Sequence, residues 1–201
     1  SYREQNRNEG IINIANSVVT PFYVESRLVI DSFAGCNNSP ILLVPPIDEG
    51  CTQVAFFHNP GAYDPDRDSL SYEMVVPKQA VGTEVGNYRL PNIQEFYTSY
   101  GTANETGDGP PTFGINAFTG DVIWNAPGLQ GEYNIAFKII EWRNINGVPR
   151  EMGYVIRDMQ IIIEDCDNER PDLDLPDDIC VEAGTFIDEN IFGFDPDGDD
   201  I

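Results

Sequence analysis

Apolar positions along the chain fall into short runs that alternate with period two or fill a few consecutive places, and no window keeps a helical period. The runs are ILLV (41–44), QVAFF (53–57), LSYEMVV (70–76), TFGIN (112–116), DVIW (121–124), EYNIAFKII (132–140) and YVIRDMQIII (154–163). Between them NPGAYDPDRD, NAFTGD, NAPGLQG and NINGVP supply the Gly, Pro, Asn and Asp that reversals of a strand require. Seven short strands in about 130 residues predict an all-β fold, an antiparallel β-sandwich. One stretch breaks the pattern: residues 77–111, PKQAVGTEVGNYRLPNIQEFYTSYGTANETGDGPP, show no convincing strand. Its aromatics, Tyr88, Phe96, Tyr97 and Tyr100, predict a segment that packs over a sheet edge. Read as a binding surface instead, it offers Tyr97 and Tyr100 to a glycan or protein partner.

Self-comparison adds organisation. At a shift of 131 positions DPDRDSL (64–70) falls on DPDGDDI (195–201) and Pro40 on Pro171, while CNNSP (36–40) matches CDNERP (166–171) with one insertion. The stretch before the first of these, residues 7–31, resembles residues 143–165 before the second: both begin Arg-Asn and finish in an apolar-rich strand. A fixed period of this kind marks an array. The expected division is a closing hairpin of a preceding repeat (1–35), a complete β-sandwich repeat (36–165) and the opening strands of the next (166–201). Under the other reading the first hairpin supplies extra strands to the complete domain.

Charge narrows the partners. The 34 acidic and 11 basic residues leave a net charge of −23, which repels phosphate backbones and anionic membranes and favours divalent cations. No apolar run approaches the roughly 20 residues that span a bilayer, so no membrane insertion is expected. The opening SYREQNRNEG does not read as a signal peptide, which suggests a processed chain or an excerpt. Cysteines stand at 36, 51, 166 and 180. The similar gaps and the matched places in the repeat favour Cys36 with Cys51 and Cys166 with Cys180; reduced thiols are the other reading. Disulfides would place the chain outside the cytoplasm.

The aspartates are the main candidate chemistry. Asp64, Asp66 and Asp68, and again Asp195, Asp197 and Asp199, put alternate carboxylates on a tight turn, which is costly unless a cation sits among them. A hard cation such as Ca²⁺ takes six to eight oxygens. An EF-hand does not fit, because Ser69 stands where the loop needs Gly and Val75 where it needs Glu. Without an ion, the same aspartates would cap the turn by accepting backbone N–H groups. Catalysis finds little support. No carboxylate pair is singled out by an apolar setting, the one histidine, His58, has no serine motif beside it, and no phosphate-binding glycine loop is present. The expectation is a protein that is not an enzyme.

The order DPDxDxLxY, FxINxxTGxVxWxxP, GEYNIAFKxxE and a strand ending EDCDNxxP is similar to the cadherin-like and immunoglobulin-like repeats of very large cell-surface proteins. The wording FFHNPGAYDPDRDSLSYEM and PTFGINAFTGDVIWNAPG resembles gliding-motility-associated and adhesin-like proteins of Bacteroidota that leave by the type IX secretion route. The resemblance implies immunoglobulin/cadherin-like antiparallel sandwiches in tandem, at the cell surface, with neighbouring repeats of the same chain as partners and surface glycans or envelope proteins beyond them. It also implies calcium between repeats. At one junction the ligands would be Asp165, Asp167, Asn168, Asp195 and Asp197 with Glu141. At the other they would be Asp31, Asn37, Asn38, Asp64 and Asp66 with Glu141. Two departures bear on this: a cysteine lies inside the linker motif, and WNAPG replaces the acidic motif expected after the TG turn.

Overall fold

The computed structural model describes residues 1–31, 34–97, 104–166, 172–174, 181–182, 184–186 and 192–195. Its strands, in chain order, are β1 (Tyr2–Glu4), β2 (Phe22–Val24), β3 (Ser26–Leu28), β4 (Ile41–Leu42), β5 (Ile47–Cys51), β6 (Phe56–His58), β7 (Ala62–Tyr63) and β8 (Ser69–Val75). There follow β9 (Lys78–Ala80), β10 (Thr83–Glu84), β11 (Thr112–Ile115), β12 (Val122–Asn125), β13 (Gly131–Ile145), β14 (Val148–Glu164), β15 (Asp172–Asp174) and β16 (Phe192–Phe194). The fold is all-β, and among the described residues helical structure is limited to 3₁₀ turns such as Ser17–Val19 and Gln94–Phe96. No helix there is long and apolar enough to cross a membrane.

Residues 1–165 form one compact unit and 166–201 a second. In the second unit, β15 and β16 pair antiparallel. The first unit is organised by the β13–β14 hairpin, paired from Gly131↔Ile163 to Ile145↔Val148. Its reversal is the Asn146-Gly147 dipeptide, both residues at positive φ (55° and 85°), the pair that lets two residues close a hairpin with the right twist. β8 adds antiparallel to β13. The far edge of β14 is shared: β3 pairs antiparallel with 153–155, and β5 pairs parallel with 160–164. That parallel pair departs from the all-antiparallel expectation.

Both faces of the hairpin are covered, which is why EYNIAFKII reads as almost continuously apolar instead of alternating. On one face Tyr133, Ile135, Phe137 and Ile139 form a core with Phe56, Val122 and Trp124 of the three-stranded sheet β11-β12-β6. Trp124 meets Tyr133 edge to face at 4.7 Å, a geometry that adds to simple area burial. On the other face lies the N-terminal segment. Asn13 and Asn134 bond reciprocally through backbone and amide, Arg7 reaches Asp158 at 2.8 Å, and the Ile12 N–H donates to the Glu132 carbonyl. The strands of this layer form a second sheet, β1-β2-β9-β10.

Two sequence expectations are corrected here. Residues 77–111, expected to lack strands, contribute β9 and β10 to that second sheet, and Phe96 is only 3% exposed in the main core. Short strands of polar composition carry too little alternation to be seen. The disulfide pairing also differs: Cys51 is bonded to Cys166, and Cys36 is a free, exposed thiol, so neither Cys36 with Cys51 nor Cys166 with Cys180 forms. The reason is register. The parallel pairing sets Cys51 opposite Glu164, two residues from Cys166. Cys180 lies outside the described residues. Segment 1–28 pairs inside the first unit, β2 with β9 and β3 with β14.

Candidate functional site

Three pieces of chain meet at one end of the β8–β13–β14 sheet: the loop 64–68 that leads into β8, the segment 34–38, and positions 141–143 of β13. The loop folds on itself through Asp64. Its Oδ1 accepts the N–H groups of Asp66 (2.8 Å) and Asp68 (3.1 Å), and Arg67 takes the left-handed conformation that closes the turn. Turn capping is therefore the work of one aspartate. Asp66 instead reaches outward to Asn38, accepting its backbone N–H at 2.6 Å and its amide at 3.0 Å. Those bonds, with Arg143 beyond them, hold the Asp66 carboxyl below the usual carboxylate range. Asp68 receives Arg143, whose Nε lies 2.9 Å from both carboxylate oxygens and whose Nη2 lies 2.5 Å from Oδ2.

Arg143 ties all three pieces together. Beyond Asp68 it donates to the carbonyls of Ala34 (2.8 Å) and Cys36 (3.0 Å) and to Asn37 Oδ1 (2.7 Å), and it stands 3.5 Å from Asp66. A planar fork of five donors suits such a set of oxygens. Asp68 in turn raises the guanidinium's affinity for its proton.

Glu141 is unlike its neighbours. It is completely buried, it lies between β8 and β14 opposite Leu70 and Gly153, and neither carboxylate oxygen has a hydrogen-bond partner. Asp64 Oδ2 and Asn37 Nδ2 are buried beside it and are equally unpartnered. The Asn37 amide is near enough to favour the ionised form of Glu141 but lies outside hydrogen-bond geometry. Burial pushes the Glu141 carboxyl up to about 7, with Asp68 and Asp64 acting in the same direction against Asn37. One ligand atom each from Asp64, Asp68 and Glu141 lies within 4.8 Å of the others. Gly153, opposite Glu141, lets the β3 backbone approach: an added Cβ would sit 2.4 Å from the Arg27 carbonyl oxygen, while Glu141 Oε2 at 3.5 Å would be in ordinary contact.

The expected ligands thus divide. Asp64, Asp68 and Glu141 converge. Asp66, Asn37 and Asn38 stand around them in hydrogen bonds to the 34–38 segment and Arg143. Asp31 is outside the carboxylate cluster; its backbone carbonyl accepts from Ala34. Asp165 is exposed at the end of β14, where it accepts from the Thr52 hydroxyl at 3.1 Å. Asp195 is half-buried in the second unit. Asp167, Asn168, Asp197, Asp199 and Tyr100 lie outside the described residues. Tyr97 is half-buried after the 3₁₀ turn, with its Cα and Cβ 2.8 Å from where a Cβ on Gly128 would stand. His58 is buried, with Nδ1 2.7 Å from Asp48 Oδ2.

Arg143 was not among the sequence candidates, although the signal was present. It stands two positions after Glu141, one of only 11 basic residues, in the Arg-Asn pair that opens the second of the two similar stretches. No family model matches the chain, and no curated protein matches it.

Proposed function

We propose that the chain is a non-enzymatic structural segment of a long multi-repeat surface protein, built from immunoglobulin/cadherin-like sandwiches in tandem, and that the Asp64 corner holds a hard divalent cation of the calcium class. The observation that carries the cation reading is Glu141: a buried carboxyl with no partner on either oxygen, beside the unpartnered Asp64 Oδ2 and within reach of Asp68. Leaving a buried acceptor unmade is costly, and a buried charge more so. A cation among these oxygens removes both costs at once.

The donor set fits such an ion in kind. All the donors are carboxylate oxygens, the ligands that calcium and magnesium take, and neither sulfur nor imidazole is present. One carboxylate oxygen each from Glu141, Asp64 and Asp68 would hold it. The ion would supply positive charge and would fix loop 64–68 to β13. A surface location outside the cytoplasm is supported by the Cys51–Cys166 disulfide. The repeat reading is supported by the 131-position self-similarity and by the resemblance to repeats of surface adhesins and gliding-associated proteins.

Thermal unfolding of the 201-residue chain at pH 8, with chelator, with Ca²⁺ and with Mg²⁺, tests the cation. Millimolar Ca²⁺ should raise the melting temperature, in line with the weak affinities of extracellular calcium modules. Glu141→Gln should remove the response. Identical curves with Ca²⁺ and with chelator would remove the ion from the proposal.

A further inference from the structure

We infer that Arg143 is the built-in competitor of the corner: a resident cation that latches segment 34–38 to loop 64–68 and, by sharing Asp68, lowers the affinity of the site for a divalent ion. This rests on the cation reading of the corner given above and deepens it. It names what regulates the same site.

The corner already holds a positive charge, that of Arg143. Four carboxylates, Asp64, Asp66, Asp68 and Glu141, gather here around one guanidinium. That guanidinium does not sit among the unpartnered oxygens. It takes Asp68 on both oxygens and turns its other donors to Ala34, Cys36 and Asn37, leaving Glu141 and Asp64 Oδ2 unmet. The Arg143 side chain is 16% exposed and that of Asp68 7%, so water screens little of the interaction. A divalent ion drawn in by Glu141 and Asp64 completes its carboxylate set only through Asp68, whose charge the guanidinium already shares. Charges of +1 and +2 on either side of one carboxylate, some 5 Å apart, repel enough even at water-like screening to weaken the ion roughly tenfold.

The latch is the other half. Arg143 and Asp66 together bond the corner to residues 34–38: three bonds from the guanidinium, and the Asn38 N–H and amide to Asp66. As long as Arg143 keeps Asp68, that segment is held without any ion. Filling the divalent site sets the ion against the arginine, so occupancy and the hold on segment 34–38 are antagonistic.

Calorimetric titration of Ca²⁺ into the 201-residue chain at pH 8 tests this with three proteins: the natural chain, Arg143→Met and Arg143→Lys. Arg143→Met should bind Ca²⁺ at least tenfold more tightly than the natural chain, while Arg143→Lys, which keeps the charge, should stay within about threefold of it. If Arg143→Met proves unfolded by circular dichroism, Arg143→Gln takes its place with the same expectation. Equal or weaker binding by the uncharged variants, with the natural chain binding, overturns the competitor role and leaves the cation site standing. Binding by the uncharged variant alone upholds the competitor and removes the ion from the natural chain. No binding by any of them overturns both.

Discussion

Replacing Glu141 by glutamine should stabilise the first unit at alkaline pH in the absence of divalent ions, which is the reverse of what removing a buried charged side chain from a satisfied network does. In the folded chain the carboxyl titrates at about 7 instead of 4.5, because it is buried and faces Asp68 and Asp64. A raised carboxyl binds its proton more tightly when folded, so its contribution is fully present below pH 4.5 and is lost as pH rises through 7. The displacement from 4.5 to about 7 corresponds to at most about 3 kcal/mol. Glutamine has nearly the same shape, cannot ionise, and carries an amide that can donate to Asp64 Oδ2 and a carbonyl that can accept from Asn37 Nδ2, both now unpartnered. The variant should therefore match the natural chain at pH 5 and exceed it by about 2–3 kcal/mol at pH 8, roughly 5–10 °C in melting temperature for a unit of this size. Urea denaturation of both proteins in chelator, at half-unit steps from pH 5 to pH 8.5, measures the difference directly, and groups common to both cancel. A variant less stable than the natural chain by a constant amount at every pH would refute the idea that Glu141 carries an uncompensated charge.

Two further outcomes follow from other parts of the unit. Proteolytic mapping without reduction should recover a peptide pair linked through Cys51 and Cys166 while Cys36 accepts a maleimide; recovery of Cys36 linked to Cys51 would overturn the pairing described above. Arg7→Met should cost about 3–5 kcal/mol at pH 7, because it strands Asp158 in a site where both partners' side chains are 1% exposed. Burial already outweighs Arg7 and Asn134 and raises the Asp158 carboxyl, so without Arg7 it should protonate more readily still. The deficit should therefore shrink as pH falls toward 4, and a deficit that grows instead would contradict the reading of Asp158 as a desolvated acid.

The hairpin at the centre of the fold was legible because its signals are local. NINGVP contains the Asn-Gly reversal, and EYNIAFKII and YVIRDMQIII flank it at matched lengths, so pairing, turn and central position all follow from one stretch of chain. The pairing of Cys51 with Cys166 was not legible, since it depends on β5 joining β14 in parallel, a contact across more than 100 residues that spacing cannot carry. The N-terminal layer was hidden for a related reason. Arg7, Asn13 and Asn134 are polar residues whose burial rests on bonding one another, and a hydrophobic pattern reads such positions as surface. At the corner the acidic residues announced themselves, yet which of them converge was set by Asp64 turning one oxygen to its own loop and Asp66 reaching across to Asn38.

Two of the buried acids of the unit, Asp158 and Glu141, contrast a structural ion pair with the proposed cation site. Asp158 and Glu141 are both nearly or wholly inaccessible, and burial raises both carboxyls. Asp158 is met from three directions: Arg7 Nη1 at 3.0 Å, Arg7 Nη2 at 2.8 Å and the Asn134 amide at 2.6 Å. Glu141 has a guanidinium two residues away on its own strand, and that guanidinium is turned to Asp68 and the carbonyls of segment 34–38 instead. The chain therefore has the means to neutralise Glu141 internally and spends that arginine elsewhere. Arg143 meets Asp68 and leaves Glu141 and Asp64 Oδ2 unmet, and that contrast with the fully met Asp158 is what favours the proposed exchangeable cation. Acidity alone would not support the proposal in a chain of net charge −23; the unpartnered oxygens of Glu141 are what support it.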